Sequence, residues 1–322
     1  MRFIVTGGAG FIGSSFIEKA LESNHQVIAI DNLSSGRIEN IEPFQKHRNF
    51  SFLHHDLSAS FPRELINLPK AEGFICHFAA QVGVESVVRG VSESIRNNIH
   101  VSEQVVKFSS DHEIPVLFTS SSEIYGKSQS IPTSEHDDRI MGSGSVYRWA
   151  YAETKILDEL LFKELWQLKK IPTISVRLFN TVGPRQSADY GMVIPRFVKQ
   201  ALSGESITVY GDGSQRRTFC SVSDVVTAIF ELIQNESSHG EVFNVGSTNS
   251  VTILELAQKI RAKVGSDSPI VFVNANEKLG LGFEEIDNRC PDIEKITSLV
   301  GWTPKKSLDD IIKEVILYTQ KN

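Results

Sequence analysis

Residues 6–13 read Thr6-Gly7-Gly8-Ala9-Gly10-Phe11-Ile12-Gly13, and they follow directly on the apolar run Phe3-Ile4-Val5. The first glycine permits a tight turn, the second lets the backbone approach a pyrophosphate, and the third lets helix and strand pack closely. The helix that opens here and runs to about Leu21 directs its N-terminus at the anion. A glycine triplet alone is a weak signal, but a second strand ending in Asp31 follows in register. The stretch predicts a dinucleotide-binding βαβ unit.

Two acidic residues after the next strands extend this prediction. Asp31 lies about twenty residues beyond the glycines, where a carboxylate accepts hydrogen bonds from both adenosine ribose hydroxyls. A 2′-phosphate would meet like charge there, which favours NAD over NADP, whereas nearby Arg37 would suit a phosphate. Asp56 and Leu57 follow the third predicted strand, where an adenine amino group is read. A solvated turn is an equally good interpretation of Asp56.

Apolar runs near residues 2–6, 26–30, 50–53, 73–77, 115–119 and 173–178 alternate with amphipathic stretches. This pattern predicts an α/β fold, a Rossmann doubly wound parallel sheet with helices on both faces. After Asn180 the elements become shorter, with loops at 183–191 and 276–288, which indicates a smaller α+β substrate-binding domain. We therefore predict a first domain at 1–178, to which 222–240 returns, and a second at 179–322.

Composition excludes several classes of function. The 322 residues carry 33 basic and 39 acidic side chains, a net charge of −6, so no basic face is available for nucleic acid. Apolar runs are too short to span a membrane, and the run after Met1-Arg2 is a strand and not a secretory signal. Cys76, Cys220 and Cys290 lack metal-ligand spacing, which predicts no metal site. We expect buried thiols in a reducing compartment, the cytoplasm.

A second group of residues carries acid–base chemistry. Tyr151 and Lys155 are four residues apart on a predicted helix and share one face. A lysine ammonium close to a phenol lowers its pKa, and the phenolate can take a proton from a hydroxyl as hydride leaves the carbon. The same spacing is common in surface pairs. The stretch Ser120–Gly126, however, ends the fifth strand at the carboxyl edge of the sheet, where open α/β proteins bind ligands.

Together these motifs resemble the extended short-chain dehydrogenase/reductase family, in its nucleotide-sugar epimerase, dehydratase and decarboxylase branch. The resemblance covers nearly the whole chain. It includes His77-Phe78-Ala79-Ala80-Gln81, Leu178-Phe179-Asn180-Thr181-Val182-Gly183-Pro184-Arg185 and Arg217-Thr218-Phe219. It implies NAD as cofactor, a nucleoside-diphosphate sugar (a UDP-sugar) as substrate, and a homodimer formed through helices near 95–110 and 147–168.

The resemblance also implies roles for single residues. Ser121 hydrogen-bonds the sugar O4, Tyr151 is the base and Lys155 orients the nicotinamide ribose, with Ser122 and Glu123 beside them. NAD contacts are expected at Gly7, Gly10, Phe11, Ile12, Gly13, Asp31, Asn32, Asp56, Leu57, Phe78, Ala79, Ala80, Tyr151, Lys155 and Phe179, the last as a wall of the nicotinamide pocket. Asn180, Arg217 and Arg289 resemble pyrophosphate contacts and Tyr210 a base-stacking aromatic, and Arg185, Arg196 and Gln215 complete the substrate set.

Several reactions can follow oxidation of the sugar at C4. Many 4,6-dehydratases carry an Asp-Glu pair where this chain has Ser122-Glu123, although GDP-mannose 4,6-dehydratases carry a similar Ser-Glu pair. The stretch Arg148-Trp149-Ala150-Tyr151 resembles UDP-glucuronate decarboxylases, whereas the segment from Gly183 to Pro195 looks more like UDP-glucuronate 4-epimerases. The sequence favours an NAD-dependent UDP-glucuronate or other UDP-hexose 4-epimerase. A UDP-glucuronate decarboxylase or a 4,6-dehydratase is the alternative.

Two further hypotheses stay open at this point. Arg185 is expected to hold the C6 carboxylate of a hexuronate in the ring plane, or else to be a loop arginine that pairs with solvent or with Asp189. The chain could also be a catalytically inactive scaffold that senses NAD, as in members that keep the glycine turn but lose the active-site residues. The presence of Ser121, Tyr151 and Lys155 favours an enzyme.

Overall fold

The computed structural model describes residues 1–65, 67–69, 73–81, 90–188, 192–274, 284 and 286–321. Its strands are β1 (Arg2–Thr6), β2 (Gln26–Asp31), β3 (Phe50–His54), β4 (Phe74–His77), β5 (Val116–Ser121), β6 (Thr173–Leu178), β7 (Thr181–Val182), β8 (Ile207–Tyr210), β9 (Arg216–Thr218), β10 (Cys220–Ser221), β11 (Glu241–Val245), β12 (Ser250–Thr252), β13 (Ile270–Val273) and β14 (Asn288–Arg289). Its α-helices are α1 (Phe11–Glu22), α2 (Val91–His112), α3 (Trp149–Lys169), α4 (Val193–Leu202), α5 (Val222–Ile233), α6 (Ile253–Val264), α7 (Glu294–Val300) and α8 (Leu308–Lys321).

The centre of the fold is a parallel sheet with the strand order β11-β6-β5-β4-β1-β2-β3. The chain builds outward from β1 through β2 to β3 and then returns to the other side of β1 with β4. The order therefore reverses between β1 and β4, and the crevice at their carboxyl ends is where open α/β sheets bind ligands. The predicted Rossmann doubly wound sheet is confirmed.

All six predicted strands are present, with boundaries within three residues of those expected. The sheet also has an edge strand that the sequence did not predict. Glu241–Val245 pairs in parallel with β6, with Val242 opposite Ser175. This strand is short, and Glu241 and Asn244 interrupt its apolar run, so it gives a weak signal. It begins directly after the segment 222–240 that was expected to return to the first domain; the division of the chain into domains stays a prediction.

Two apolar layers cover the sheet. α1 and α5 pack Phe16 and Ile229 on one face, and α2 and α3 pack Val105 and Phe162 on the other. Alternate residues of each strand serve opposite layers, as pleating requires. A separate core is built by α4, α6 and α8 around Phe197, Leu256, Ile312 and Val209 of β8. The smaller sheets β7–β10, β9 with β12 and β14, and β8–β13 lie outside the central one.

The composition led to expectations about the cysteines, membrane-spanning helices and metal ligands. All three cysteines are free and buried. Within the part of the chain that is described, no helix is both long and apolar enough to cross a membrane. No group of three or more possible metal ligands is found among the same residues. The predicted loops 183–191 and 276–288 lie partly outside the described residues.

A buried ion pair fastens α3 to β6. Arg177 donates from Nε and Nη2 to the two carboxylate oxygens of Glu159, at 2.9 Å each. Its Nη1 also donates to the hydroxyl of Tyr125 at 2.8 Å and to the carbonyl oxygen of Glu135 at 3.0 Å. Such planar, bidentate pairs are among the strongest charge-assisted contacts. This cluster holds the amino half of α3, which also carries Tyr151 and Lys155, at a fixed depth on the sheet.

Glu159→Leu is expected to lower the free energy of unfolding by about 3–5 kcal/mol, because it leaves the buried guanidinium of Arg177 without its carboxylate. Chemical denaturation monitored by circular dichroism measures the loss. The double variant Glu159→Leu/Arg177→Met removes both charges and should recover most of it. A single-variant loss below about 1 kcal/mol, the scale of an exposed pair, would show that the contact does not stabilise the fold.

Candidate active site

The glycine turn brings backbone segments so close together that a Cβ atom at Gly7 or Gly13 would clash with them. Gly7 has a φ of +66°, and a Cβ built there would lie 2.7 Å from the backbone nitrogen of Ala79. A Cβ on Gly13 would lie 2.1 Å from the carbonyl oxygen of Gly7. Gly10 caps α1 without a side chain, so the first N–H groups of the helix face the crevice. These residues fit a dinucleotide whose pyrophosphate rests on the helix N-terminus.

The predicted adenosine contacts lie at the carboxyl ends of β2 and β3. Asp31 is buried and accepts hydrogen bonds from the backbone N–H groups of Ala9 at 3.0 Å and Leu33 at 2.8 Å. Burial raises the pKa of Asp31, although the two backbone donors oppose the rise. Asn32 and Asp56 each accept from a backbone N–H two residues on, and Leu57 is buried. Asp31 is thus fixed beside the glycine turn, as a ribose ligand must be.

The carboxyl end of β4 closes the other side of the crevice. Thr6 Oγ1 lies 2.7 Å from Nδ1 of the buried His77 and accepts from the N–H of Ala79 at 3.3 Å. Burial, together with the charge of Lys155, lowers the pKa of His77 to about 3, so the imidazole is neutral. Phe78, Ala79 and Ala80 follow it half-buried, at the position predicted for cofactor contacts.

Ser121, Glu123 and Tyr151 meet where β5 ends and α3 begins. Ser121 accepts from the N–H of Glu123 at 3.2 Å, and its side chain is within hydrogen-bonding reach of the Tyr151 hydroxyl. Burial, with the charges of Glu123 and Asp158, raises the pKa of Tyr151 well above its usual value, and Ser121 opposes this only in part. The lowered pKa expected from Lys155 is therefore not found. The Lys155 ammonium is 6.0 Å from the Tyr151 ring centre and pairs with Asp158 instead.

The carboxylate of Glu123 lies between two buried arginines. Arg289 Nη1 donates to Glu123 Oε1 at 2.5 Å, and Arg148 Nη2 to Glu123 Oε2 at 3.4 Å. Burial opposes ionisation of Glu123, but the guanidiniums of Arg289 and Arg148 outweigh it and hold the pKa of Glu123 well below its usual range. Ser122 is buried and lies 3.4 Å from Arg289 Nη1. Arg148 was not among the predicted site residues, although it precedes Tyr151 by only three positions.

The expected contact of Arg289 with the pyrophosphate stays a prediction. Its partners Glu123 and Ser122 directly follow Ser121, so Arg289 lies at the carboxyl end of β5. It is only 6% exposed, and its Nη2 has no hydrogen-bond acceptor among the described residues. A buried N–H group without an acceptor is costly, because it has lost water and gained nothing. The pair Glu123–Arg289, 166 positions apart, is a tertiary contact that local sequence patterns do not encode.

Arg185 has contacts with α1 and with an aromatic ring. Its guanidinium pairs with Glu18 of α1 at 2.9 Å and lies 5.6 Å from the ring centre of Phe44. The alternative partner Asp189 lies outside the described residues. The structure thus gives Arg185 a partner on the outside of α1, and the expected contact with a sugar carboxylate stays a prediction without a supporting contact.

The remaining predicted substrate residues form a second group beyond β6. Arg196 stacks over Tyr210, with the guanidinium 4.3 Å from the ring centre, and Gln215 donates to the carbonyl oxygen of Tyr210 at 2.9 Å. This flat, polar stack suits a nucleotide base. Asn180 donates to the carbonyl oxygen of Thr218 at 2.8 Å, and Arg217 is close enough for its charge to lower the pKa of Glu123.

Phe179 is fully buried and packs with Ile124 and Tyr125 beneath the site. Its neighbour Gly246 is close enough that a Cβ there would lie 2.7 Å from the Phe179 Cβ. The Phe179 side chain has no exposed surface here, and its expected role as a wall of the nicotinamide pocket stays a prediction. Asn180, which follows it in a left-handed conformation with φ +27°, turns the chain out of the core.

This chain is similar to one family model and to several known proteins. Residues 3–246 match the model of the NAD dependent epimerase/dehydratase family. A UDP-N-acetyl-alpha-D-glucosaminuronate decarboxylase from Bacillus cytotoxicus is 36% identical over 98% of this chain and 96% of its own. UDP-glucuronic acid decarboxylase 1 from Danio rerio is 30% identical over 98% of this chain and 72% of its own. The UDP-glucuronic acid 4-epimerase from Bacillus cereus, solved with UDP-glucuronic acid and NAD, superposes with a TM-score of 0.87 at 26% identity, covering 100% of this chain and 99% of that chain.

Tyr151→Phe is expected to lower turnover by roughly 10²- to 10⁴-fold, the loss associated with a general base, while ligand affinity stays nearly unchanged. Steady-state kinetics and calorimetric titration with the nucleotide sugar measure the two effects. Tyr147→Phe is the matched control, since Tyr147 is exposed four residues earlier. Turnover of Tyr151→Phe within threefold of the unmodified enzyme would remove Tyr151 from the mechanism.

Proposed function

The chain belongs to the NAD dependent epimerase/dehydratase family, and we propose that within this family it removes the C6 carboxyl group of a UDP-hexuronate as carbon dioxide. The family and its NAD-bound structural relatives make NAD the cofactor. The sequence favoured a 4-epimerase and kept a decarboxylase as the alternative. Two relatives at 36% and 30% identity are UDP-sugar decarboxylases, which supports the alternative better than the first choice.

The observation that carries the proposal is the Arg289 guanidinium beside Glu123. Arg289 Nη1 donates to the Glu123 carboxylate, which Arg148 also contacts, close to Ser121. Arg289 is only 6% exposed, so solvent does little to offset its charge. A neutral hexose brings nothing to balance it, whereas a hexuronate brings one carboxylate. Arg289 Nη2, which has no acceptor among the residues described, supplies the N–H group to bind it.

The same arrangement holds a carboxylate without trapping it. Because Glu123 already accepts from Arg289 Nη1, the guanidinium presents the substrate with a partly neutralised charge. A fully uncompensated cation would stabilise the carboxylate strongly in a buried site and oppose its conversion to neutral carbon dioxide. Because Arg289 also binds Glu123, it orients the C6 carboxylate but stabilises it less, and so raises the barrier to loss of carbon dioxide less.

Ser121 and Tyr151 act on O4 of the sugar. Tyr151 accepts the proton of the 4-hydroxyl and Ser121 hydrogen-bonds the same oxygen. The chemistry that NAD supplies when bound is uptake of a hydride from C4 and its later return, together with a positive charge that opposes the raised pKa of Tyr151. The phenol that results is a hydrogen-bond donor to the C4 ketone.

A C4 ketone makes the C6 carboxylate part of a β-keto acid. The C5–C6 bond breaks, its electron pair moves between C5 and C4 and onto O4, and carbon dioxide leaves. Ser121 and protonated Tyr151 donate hydrogen bonds to the developing O4 anion, which is the electrostatic stabilisation that such steps need. Water supplies the proton that C5 takes, and return of the hydride to C4 with the Tyr151 proton to O4 gives the UDP-pentose.

The ionisation of Glu123 disfavours dehydration. Loss of water across C5 and C6 needs an acid to protonate the leaving hydroxyl. Two arginines hold Glu123 ionised, and Ser122 is a weak acid, so neither neighbour of Ser121 suits that role. Loss of carbon dioxide needs no acid at its leaving group.

Assembly and location belong to the same proposal. Leu157, Leu160 and Leu168 lie on one side of α3 and are 47%, 53% and 70% exposed, which suits pairing of α3 with a second copy of the chain. Three free, buried cysteines fit a reducing compartment such as the cytoplasm. We therefore propose a cytoplasmic homodimer.

Product mass tests the reaction directly. Incubation with UDP-glucuronate or its 2-acetamido counterpart should give a nucleotide sugar lighter by carbon dioxide, resolved by mass spectrometry and NMR. UDP-glucose and UDP-N-acetylglucosamine, which lack the carboxylate, serve as matched substrates and should give no such product. A product of unchanged mass but inverted C4 would replace the proposal with 4-epimerisation, and loss of water would replace it with dehydration.

Arg289→Gln is expected to lower kcat/KM for the hexuronate. The loss of transition-state stabilisation should be about 2–5 kcal/mol, the cost of truncating a buried charged partner. Arg185→Gln, whose arginine pairs with a half-exposed glutamate, should cost less than about 1 kcal/mol on the same substrate. Kinetics of both variants make the comparison, with thermal unfolding to check that each is folded. If Arg185→Gln shows the larger loss, the carboxylate is held by Arg185 and the charge argument fails.

A further inference from the structure

Asp158 lies in the interior of α3, three residues after Lys155. It has no exposed surface, and Lys155 is only 2% exposed. The Lys155 ammonium is 3.7 Å from Asp158 Oδ2, and the Ser102 hydroxyl is the other donor that faces this carboxylate. A carboxylate buried with so little support is expensive. The nearby ammonium is the contact that offsets this cost.

The position of this pair follows from what surrounds it. Phe118 of β5 presents its ring to the ammonium, 4.5 Å from its centre, and prevents Lys155 from extending towards the sheet. On the side of α2 the Ser102 hydroxyl faces Asp158 and lies 3.3 Å from His77 Nε2. Lys155 is therefore enclosed by an aromatic ring, a neutral imidazole and a hydroxyl. The negative charge that pairs with its ammonium is that of Asp158, on the same helix.

We propose that Asp158 is a positioning residue that anchors the Lys155 ammonium beneath Tyr151 and thereby sets the charge of the catalytic pair. The inference rests on the catalytic role of Tyr151 and Lys155 in the proposed function. It applies to the oxidation at C4, a step that decarboxylation, epimerisation and dehydration share. Asp158 touches neither reacting atom and acts through Lys155.

The charges that face the pair give the sign of the effect. Burial lowers the pKa of Lys155, and Asp158 and then Glu159 oppose this. Burial, Glu123 and Asp158 raise the pKa of Tyr151. His77 from β4 is neutral, while α2 and β5 contribute Ser102 and Phe118. Since Asp158 raises both pKa values, its removal must lower both.

The test is the pH dependence of turnover in Asp158→Asn, a nearly isosteric change. Both limbs of the profile should move to lower pH by about one unit or more, the shift that loss of a charge at this distance produces. Asp158→Glu keeps the charge and should restore the limbs towards those of the unmodified enzyme. Glu153→Gln removes an exposed carboxylate from the same helix and should leave them in place.

The second readout is NAD affinity, measured by calorimetry over the same pH range. In Asp158→Asn the Lys155 ammonium should lose its proton at a lower pH than in the unmodified enzyme, so NAD binding should begin to weaken at a lower pH. If that variant does not fold, the smaller neutral Asp158→Ser is used. Reduced turnover with unmoved limbs and unchanged NAD titration would make Asp158 merely structural and overturn the proposal. Product identity is read separately by mass, so a different product would refute decarboxylation without affecting this result.

Discussion

The close contact between Gly7 and Gly13 is the constraint on which the rest of the site depends. A Cβ at Gly13 would stand 2.1 Å from the Gly7 carbonyl oxygen, so β1 and α1 meet at a separation that any side chain would prevent. This contact sets the N-terminus of α1 at the reversal of strand order between β1 and β4. The carboxyl ends of β2, β4 and β5 lie at the same edge of the sheet. Because the turn fixes the position of the crevice, the residues at or just after these strand ends line it, among them Asp31, Ala79 and Ser121. The cofactor site and the catalytic site are thus consequences of one backbone approach.

Charge pairs lie at the end of the crevice around Ser121 and Tyr151, in contrast to the apolar layers around the sheet. α3 buries Lys155 with Asp158 and, one residue on, Glu159 with Arg177. Glu123 lies between Arg148 and Arg289 in the same region. Each charge alone would cost several kcal/mol to bury, so each pair depends on both of its members. Such a region stabilises the fold less than an apolar core of the same size, but it determines where positive and negative side chains lie around the pocket.

How far the sequence could predict this structure depends on the distance over which each contact acts. The glycine turn, Asp31 and the Tyr151–Lys155 pair depend on neighbours within one βαβ unit or one helical turn, and patterns of glycine and apolar residues locate them. β11 is short and half polar, and its place at the sheet edge depends on β6, more than sixty residues earlier. Arg185 and Arg289 were assigned from position in a motif. Their partners Glu18 and Glu123 are distant in sequence and are brought to them only by the folded chain, so no local pattern identifies these contacts.

The raised pKa of Tyr151 has opposite consequences in the two halves of a decarboxylation. In the first half it hinders Tyr151, because a phenol in a buried, negatively charged environment releases its proton reluctantly. Once Tyr151 holds the proton of the 4-hydroxyl, the same environment keeps it there. Loss of carbon dioxide places negative charge on O4, which needs a donor that does not ionise. Glu123 cannot serve, since its arginines hold it ionised. Epimerisation also develops negative charge on O4, when hydride returns to C4, so the proton that Tyr151 holds serves the ketone stage of either reaction.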